Sequence, residues 1–252
     1  MNNSTWASIG KVFFALAILC IGIVHLVTRN FPIGLLPVPA DVPQRLILVY
    51  VSGAVLIISG LLILSNKFTA IGAWIAFVIW LIVLLAVHLP IVIANYKNGG
   101  EWAGFFEVVM LIAGSMLLID SPRTAKKNKH TLTIIARYLF ALAMIVFAVQ
   151  HYMYAEYIAM LITPWIPFKL FWSYLVGVAF LAVGISIIIN RLVQPATIAL
   201  GVMFLLWFFV LHLPRVLAHQ HIEPEWTSMF VVLASSGEAF LIAGSVLKRG
   251  KR

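Results

Sequence analysis

Eight apolar runs of about 20 residues constrain this chain more than any other feature. They cover residues 10–28, 45–65, 68–95, 101–120, 134–155, 169–190, 194–217 and 225–247. A helix rises 1.5 Å per residue, so about 20 residues cross the roughly 30 Å of hydrocarbon in a bilayer. Hydrophobic residues make up 63% of the chain and charged residues 10%, against about a quarter charged in soluble domains. A membrane barrel would show shorter segments of alternating polarity, and the sequence has none. The first run lacks a small-residue cleavage site and has a counterpart at 134–155, so it reads as a span rather than a signal peptide.

The runs fall into two matching sets of four. Phe14-Ala15-Leu16-Ala17 and His25 return as Phe140-Ala141-Leu142-Ala143 and His151, at an offset of 126. The offset then settles at 124: Tyr50, Gly53 and Gly60 return as Tyr174, Gly177 and Gly184. His88-Leu89-Pro90 returns as His212-Leu213-Pro214, and Glu101-Trp102 as Glu225-Trp226. Such a period is too long for a solenoid and indicates a duplicated unit. Residues 1–120 form one unit, 121–133 a basic linker, and 134–252 the second unit with its basic tail. The expected fold is all-α: eight transmembrane helices in two four-helix bundles, related as parallel repeats about an axis along the membrane normal.

Of the 17 Lys and Arg residues, twelve fall on one side: Lys11, Lys67, Arg137, Arg191 and those of the linker and tail. Arg29, Arg45, Lys97, Lys169 and Arg215 fall on the other. Basic residues mark the cytoplasmic side, so both termini and the linker are expected there, in a bacterial-type inner membrane. The net charge of +9 is thereby assigned to topology, and nucleic acid is not an expected partner. Cys20 is the only cysteine, which excludes an intrachain disulfide and dithiol chemistry. Prolines break the apolar loops at 29–44 and around Pro164 and Pro167, so these are expected to cap the outer interface. Gly53 with Gly60, and Gly177 with Gly184, lie two turns apart on one helix face, where small residues let helices approach. Trp6, Trp102, Trp165 and Trp226 read as interfacial anchors.

Chemistry is confined to a few polar residues. His25, His88, His151 and His212 lie in the outer part of the first and third helix of each set, and Glu107 and Glu238 lie inside the fourth helices. An ionisable group in hydrocarbon costs several kcal/mol unless it is paired or faces a cavity. Two histidines and one glutamate per half therefore suggest an outward-opening polar pocket in each bundle, with Glu107 and His88 as the candidate pair of the first half. Leu-Ile-Ala-Gly-Ser at 111–115 and 241–245 gives an offset of 130, which predicts an insertion around 227–236. On that register the two glutamates share a depth within one residue, turned about 100° apart. Three readings fit these residues: mutual satisfaction within a packing network, a pocket for a small molecule such as a quinone head group, and a bis-imidazole haem or metal site. The sequence contains no Gly-x-Gly-x-x-Gly, Walker or Gly-x-Ser-x-Gly motif.

Gly22-Ile23-Val24-His25, the loop around Pro37-Val38-Pro39, and Leu48-Val49-Tyr50-Val51-Ser52-Gly53 through Gly60-Leu61-Leu62 resemble the DoxX-like family of small membrane proteins. The resemblance covers most of 10–120 and, through His151, Pro164, Pro167, Tyr174, Gly177 and Gly184, parts of 134–247. It implies a four-helix unit, here fused in tandem, and a link to quinone-coupled redox chemistry with a redox partner protein. A glutamate frequent in the family's second helix is missing between Ala54 and Ser59, and His-Leu-Pro replaces an asparagine-containing end of the third helix. No residue role is carried over. The alternative is a non-enzymatic membrane protein that binds a lipid, a small molecule or a partner protein.

Overall fold

A computed structural model describes residues 2–120 and 130–246. Most of the basic linker and the end of the basic tail lie outside the described residues. Among those described, the chain is helical with no strand, and eight spans are long and apolar enough to cross a membrane. They are α1 (Asn3–Thr28), α2 (Arg45–Leu64), α3 with α4 (Thr69–Val83, Leu89–Ala94), α5 (Gly99–Ile119), α6 (Thr131–Met153), α8 (Lys169–Ile188), α9 with α10 (Val193–Trp207, Leu213–Ala218) and α11 (Glu223–Ser245). A short helix, α7 (Ala155–Leu161), stands in the second long loop, where the sequence had suggested only a proline-broken connection.

Local chemistry sets the helix ends. The Asn2 side chain accepts from Thr5 N at 2.9 Å, and this cap starts α1 seven residues ahead of the apolar run. Asn98 caps α5 by accepting from Gly100 N at 3.0 Å. Pro90 and Pro214 do not simply bend their spans. Each is preceded by a π-helical turn, Leu84–His88 and Phe208–His212, in which Leu89 N donates to Leu84 O and Leu213 N to Phe208 O. One extra residue in the turn accommodates the proline ring and the missing N–H, and each turn ends on a histidine.

Close packing follows the small residues. A Cβ on Gly53 would lie 2.9 Å from His25 Cβ, and one on Gly60 2.8 Å from Ala15 O. The same approach recurs in the second half, where a Cβ on Gly177 would lie 3.0 Å from His151 Cβ. Thus α2 presses on α1, and α8 on α6, through glycine. A second seam joins the ends of the chain. A Cβ on Gly10 would come 2.5 Å from Gly237 O, one on Gly237 2.6 Å from Phe14 N, and one on Gly244 2.7 Å from Ala7 Cβ. The first helix therefore packs most extensively against the last, α5 packs against α6, and α5 meets α11 at the centre. Each fourth helix is wedged between the two halves rather than confined to its own.

This placement explains the composition of α11. It is the least hydropathic of the eight spans and also the most buried. A helix surrounded by protein need not be apolar toward lipid, so Thr227, Ser235, Ser236 and Glu238 are all buried on it. The two ends of the described chain meet on one face, where Asn3 Nδ2 donates to Val246 O at 2.5 Å. Lys11, Lys67, Arg137 and Arg191 lie toward this terminal face. The opposite, loop face carries residues 29–44 and α7, and there Ile33 N donates to Glu223 Oε2 at 3.0 Å.

Candidate functional site

The histidines of the two halves start from matching local geometry. His25 Nδ1 donates to Ile21 O and His151 Nδ1 to Phe147 O, both at 2.8 Å. A carbonyl only accepts, so the ring proton sits on Nδ1 and the neutral ring leaves Nε2 as an acceptor. His25 Nε2 is buried without a hydrogen-bond partner among the described residues. Its ring meets Phe31 edge-on at 5.8 Å. His151 meets Phe180 edge-on at 5.1 Å.

His88 and His212 end their π-helical turns but differ in partner. His88 Nε2 donates to Leu35 O, in the first long loop, at 2.8 Å. That loop is packed inward: Phe31, Leu35 and Leu36 are buried in the core. His212 makes no hydrogen bond among the described residues, and its Nδ1 is buried.

A cavity of about 630 Å³ lies instead between α5 and the helices of the second half. Its walls come from α5, α6, α8, α9 and α11, with α7 at the loop face. Phe147, Trp172, Phe180, Phe204 and Trp207 supply aromatic surface. His151, His212, Glu107, Gln150, Ser173, Ser228 and Ser235 supply polar groups. Along α5 it reaches from Asn98 to Met110, a depth of about 18 Å at 1.5 Å per residue. This size and mixture, largely apolar with a few convergent polar groups, is that of a small-molecule site.

Glu107 is a correction to the expected pairing. It does not join His88. It lines the cavity with His151 and His212 of the other half, because α5 is wedged against α6 and turns this face away from α3. Glu107 is partly accessible there and makes no hydrogen bond among the described residues. His25 and His88 are not part of this cavity.

Glu238 is the second correction. Helices α5 and α11 begin 124 residues apart, at Gly99 and Glu223, and contain 21 and 23 residues. No room exists for a six-residue insertion inside α11. Glu107 lies eight positions beyond its helix start and Glu238 fifteen, so their depths differ by about 10 Å. Glu238 is fully buried and packs on Gly114 of α5, where an added Cβ would lie 2.7 Å from Glu238 Oε1 and 2.3 Å from Phe14 Cε2. Neither carboxylate oxygen has a hydrogen-bond partner among the described residues. The glutamate is thus held between α1, α5 and α11, apart from His212 and the cavity.

Several residues that sequence reasoning did not assign to the site build its end at the loop face. Gln150 Nε2 donates to Gly99 O at 2.8 Å, tying α6 to the start of α5. Tyr154 lies over Gly99, where a Cβ would come 2.4 Å from its hydroxyl. Arg215 pairs with Glu225 through two hydrogen bonds, 2.7 Å from Nε and 2.6 Å from Nη2, and its Nη1 donates to Leu161 O at 2.5 Å. This fixes α7 against α10 and α11. The sequence signal was available: Arg215 and Glu225 flank a short connection between two spans. Trp102 and Trp226, expected as anchors, also close these connections, with Nε1 donating to Tyr96 O at 2.8 Å and to Gln220 O at 2.9 Å. Among the described residues, no three His, Cys, Asp or Glu side chains converge on a metal position.

No protein-family model matches this chain, and no curated protein or solved structure does.

Proposed function

We propose that this chain is a DoxX-like protein of a bacterial-type inner membrane that binds a quinone-class amphiphile, as a component of a quinone-linked redox system. The cavity carries this reading. Its volume of about 630 Å³ and its aromatic walls suit a planar ring. His151, with its proton committed to Phe147 O, offers Nε2 to a hydroxyl, as a quinol would present. The ring and an apolar tail match a site that runs from the loop face into the hydrocarbon layer. In this reading the two halves are tandem repeats, and the terminal face is cytoplasmic because the basic residues gather there. The cavity then opens toward the outer leaflet.

A non-enzymatic protein that binds a lipid draws on the same apolar walls. One experiment separates the two. The detergent-purified protein is extracted with organic solvent, and the extract is read by absorption and mass spectrometry. A stoichiometric quinone supports the proposal. A stoichiometric acyl-chain lipid favours the binding protein, and an empty extract together with no binding of added quinone removes the proposal.

A further inference from the structure

The first half contains, as part of its own chain, a carbonyl contact that the second half leaves open, while the edge-on ring that Phe31 gives His25 is given to His151 by Phe180. At the offset of 126 that relates His25 to His151, Phe31 corresponds to Tyr157, Leu35 to Leu161 and Leu36 to Ile162. In the first half Phe31 and Leu35 are buried, at 5% and 0% exposure. Tyr157 and Leu161 are exposed, at 59% and 40%, and line the cavity, while Ile162 stays buried as Leu36 does. The Phe31 ring meets His25 edge-on at 5.8 Å, and Leu35 O accepts from His88 Nε2 at 2.8 Å. The corresponding carbonyl, Leu161 O, accepts from Arg215 Nη1 at 2.5 Å instead. The position 124 residues before Arg215 is Ile91, which has no such donor. Arg215, locked by Glu225, therefore holds the loop off His212.

We propose that the first-half loop is an internal likeness of the second half's ligand: a carbonyl oxygen accepting a hydrogen bond from His212, on a ring held among the aromatic walls that include Phe180 beside His151. His88 donates to a carbonyl, which fixes its proton on Nε2. His212 ends the same π-helical turn and lines the cavity with no hydrogen bond among the described residues. The same tautomer there presents an N–H to the ligand. Gly104, which packs against the His88 ring, is replaced at the matching position by Ser228, a further polar group on the cavity wall. The ligand is accordingly a ring-bearing carbonyl compound, bound once per chain, with the first half closed to it. This inference rests on the cavity reading and sharpens it: His212 recognises the oxidised, carbonyl form.

The test compares two probes by isothermal titration calorimetry on the full chain in detergent: a short-chain alkyl 1,4-naphthoquinone, and the alkylnaphthalene that lacks both carbonyls. The wild type should bind one naphthoquinone per chain, about ten-fold more tightly than the hydrocarbon, the size of one hydrogen bond. His212→Phe should bring both probes to the weaker affinity, and His212→Gln, which keeps an N–H donor, should retain the preference. A preference for the quinone that survives in His212→Phe would overturn the role of His212 and leave the cavity reading standing. Equal binding of both probes by the wild type would do the same. Binding of neither probe to the wild type would overturn both. Should His212→Phe fail to fold, His212→Leu, which also lacks a donor, takes its place, and a preference for the quinone that survives in it overturns the role of His212.

Discussion

Glu107 and His212 belong to different halves of the chain, 105 positions apart, and line one cavity. His88, the histidine of Glu107's own half, donates to Leu35 O instead. The exchange arises because α5 packs on α6 and α1 on α11, so each fourth helix presents one face to the opposite half.

A double-mutant cycle reads this arrangement directly. With naphthoquinone binding as the measure, Glu107→Gln and His212→Phe should be non-additive, with a coupling of about 0.5–3 kcal/mol. Glu107→Gln and His88→Ala should be additive within about 0.5 kcal/mol. The reverse pattern would return Glu107 to the first half.

Glu238 should be a stability liability. Its carboxylate meets no donor among the described residues and sits against Gly114 and Phe14. Glu238→Met keeps the volume and removes the unsatisfied oxygens, so stability should rise by about 1–3 kcal/mol. Thermal unfolding in detergent is the measure. A fall in Tm would show that the carboxylate is needed where it stands.

The seam between α1 and α11 gives a contrast between two glycines. A Cβ on Gly237 would lie 2.6 Å from Phe14 N and 2.8 Å from Gly10 O, both backbone atoms, whereas nothing lies within 4 Å of one on Gly34. Gly237→Ala should cost about 1–3 kcal/mol through overpacking, and Gly34→Ala should change little. Equal effects in a thermal-shift measurement would contradict the packing described for this seam.

Arg215 holds α7 through Leu161 O and is itself held by Glu225. Arg215→Met should free residues 155–161, seen as faster amide hydrogen exchange there and little change along α2. It should also weaken naphthoquinone binding, as Leu161 becomes able to fall inward the way Leu35 does. Unchanged exchange would show that the clamp does not set the position of α7.

The sorting of basic residues predicts the side on which each loop reacts. In a Cys20→Ser background, Lys67→Cys should label with a membrane-impermeant maleimide only from the cytoplasmic side, and Lys97→Cys only from outside. Both positions are exposed. Labelling of both from one side would contradict the eight-span topology.

Span number and position were legible in the sequence because the length of an apolar run is a local property set by bilayer thickness. The glycine contacts of α2 and α8 were legible for a similar reason, since Gly53 and Gly60 share a face by helix period alone. The partners of the fourth helices were not legible. They depend on complementary surfaces far apart in the chain, here Gly10 and Ala7 fitting against Gly237 and Gly244. Hydrophobic length says nothing about that choice when lipid and protein interior are equally apolar. One signal was present: the run Ala234-Ser235-Ser236-Gly237-Glu238 is too polar for a lipid-facing helix and marks α11 as central. Sequence by itself thus determined what crosses the membrane and where the polar residues stand along it. Only the tertiary structure decided which of them meet, because rotation and neighbour choice are set by packing between helices, and packing is what took Glu107 to His212's side and left Glu238 alone.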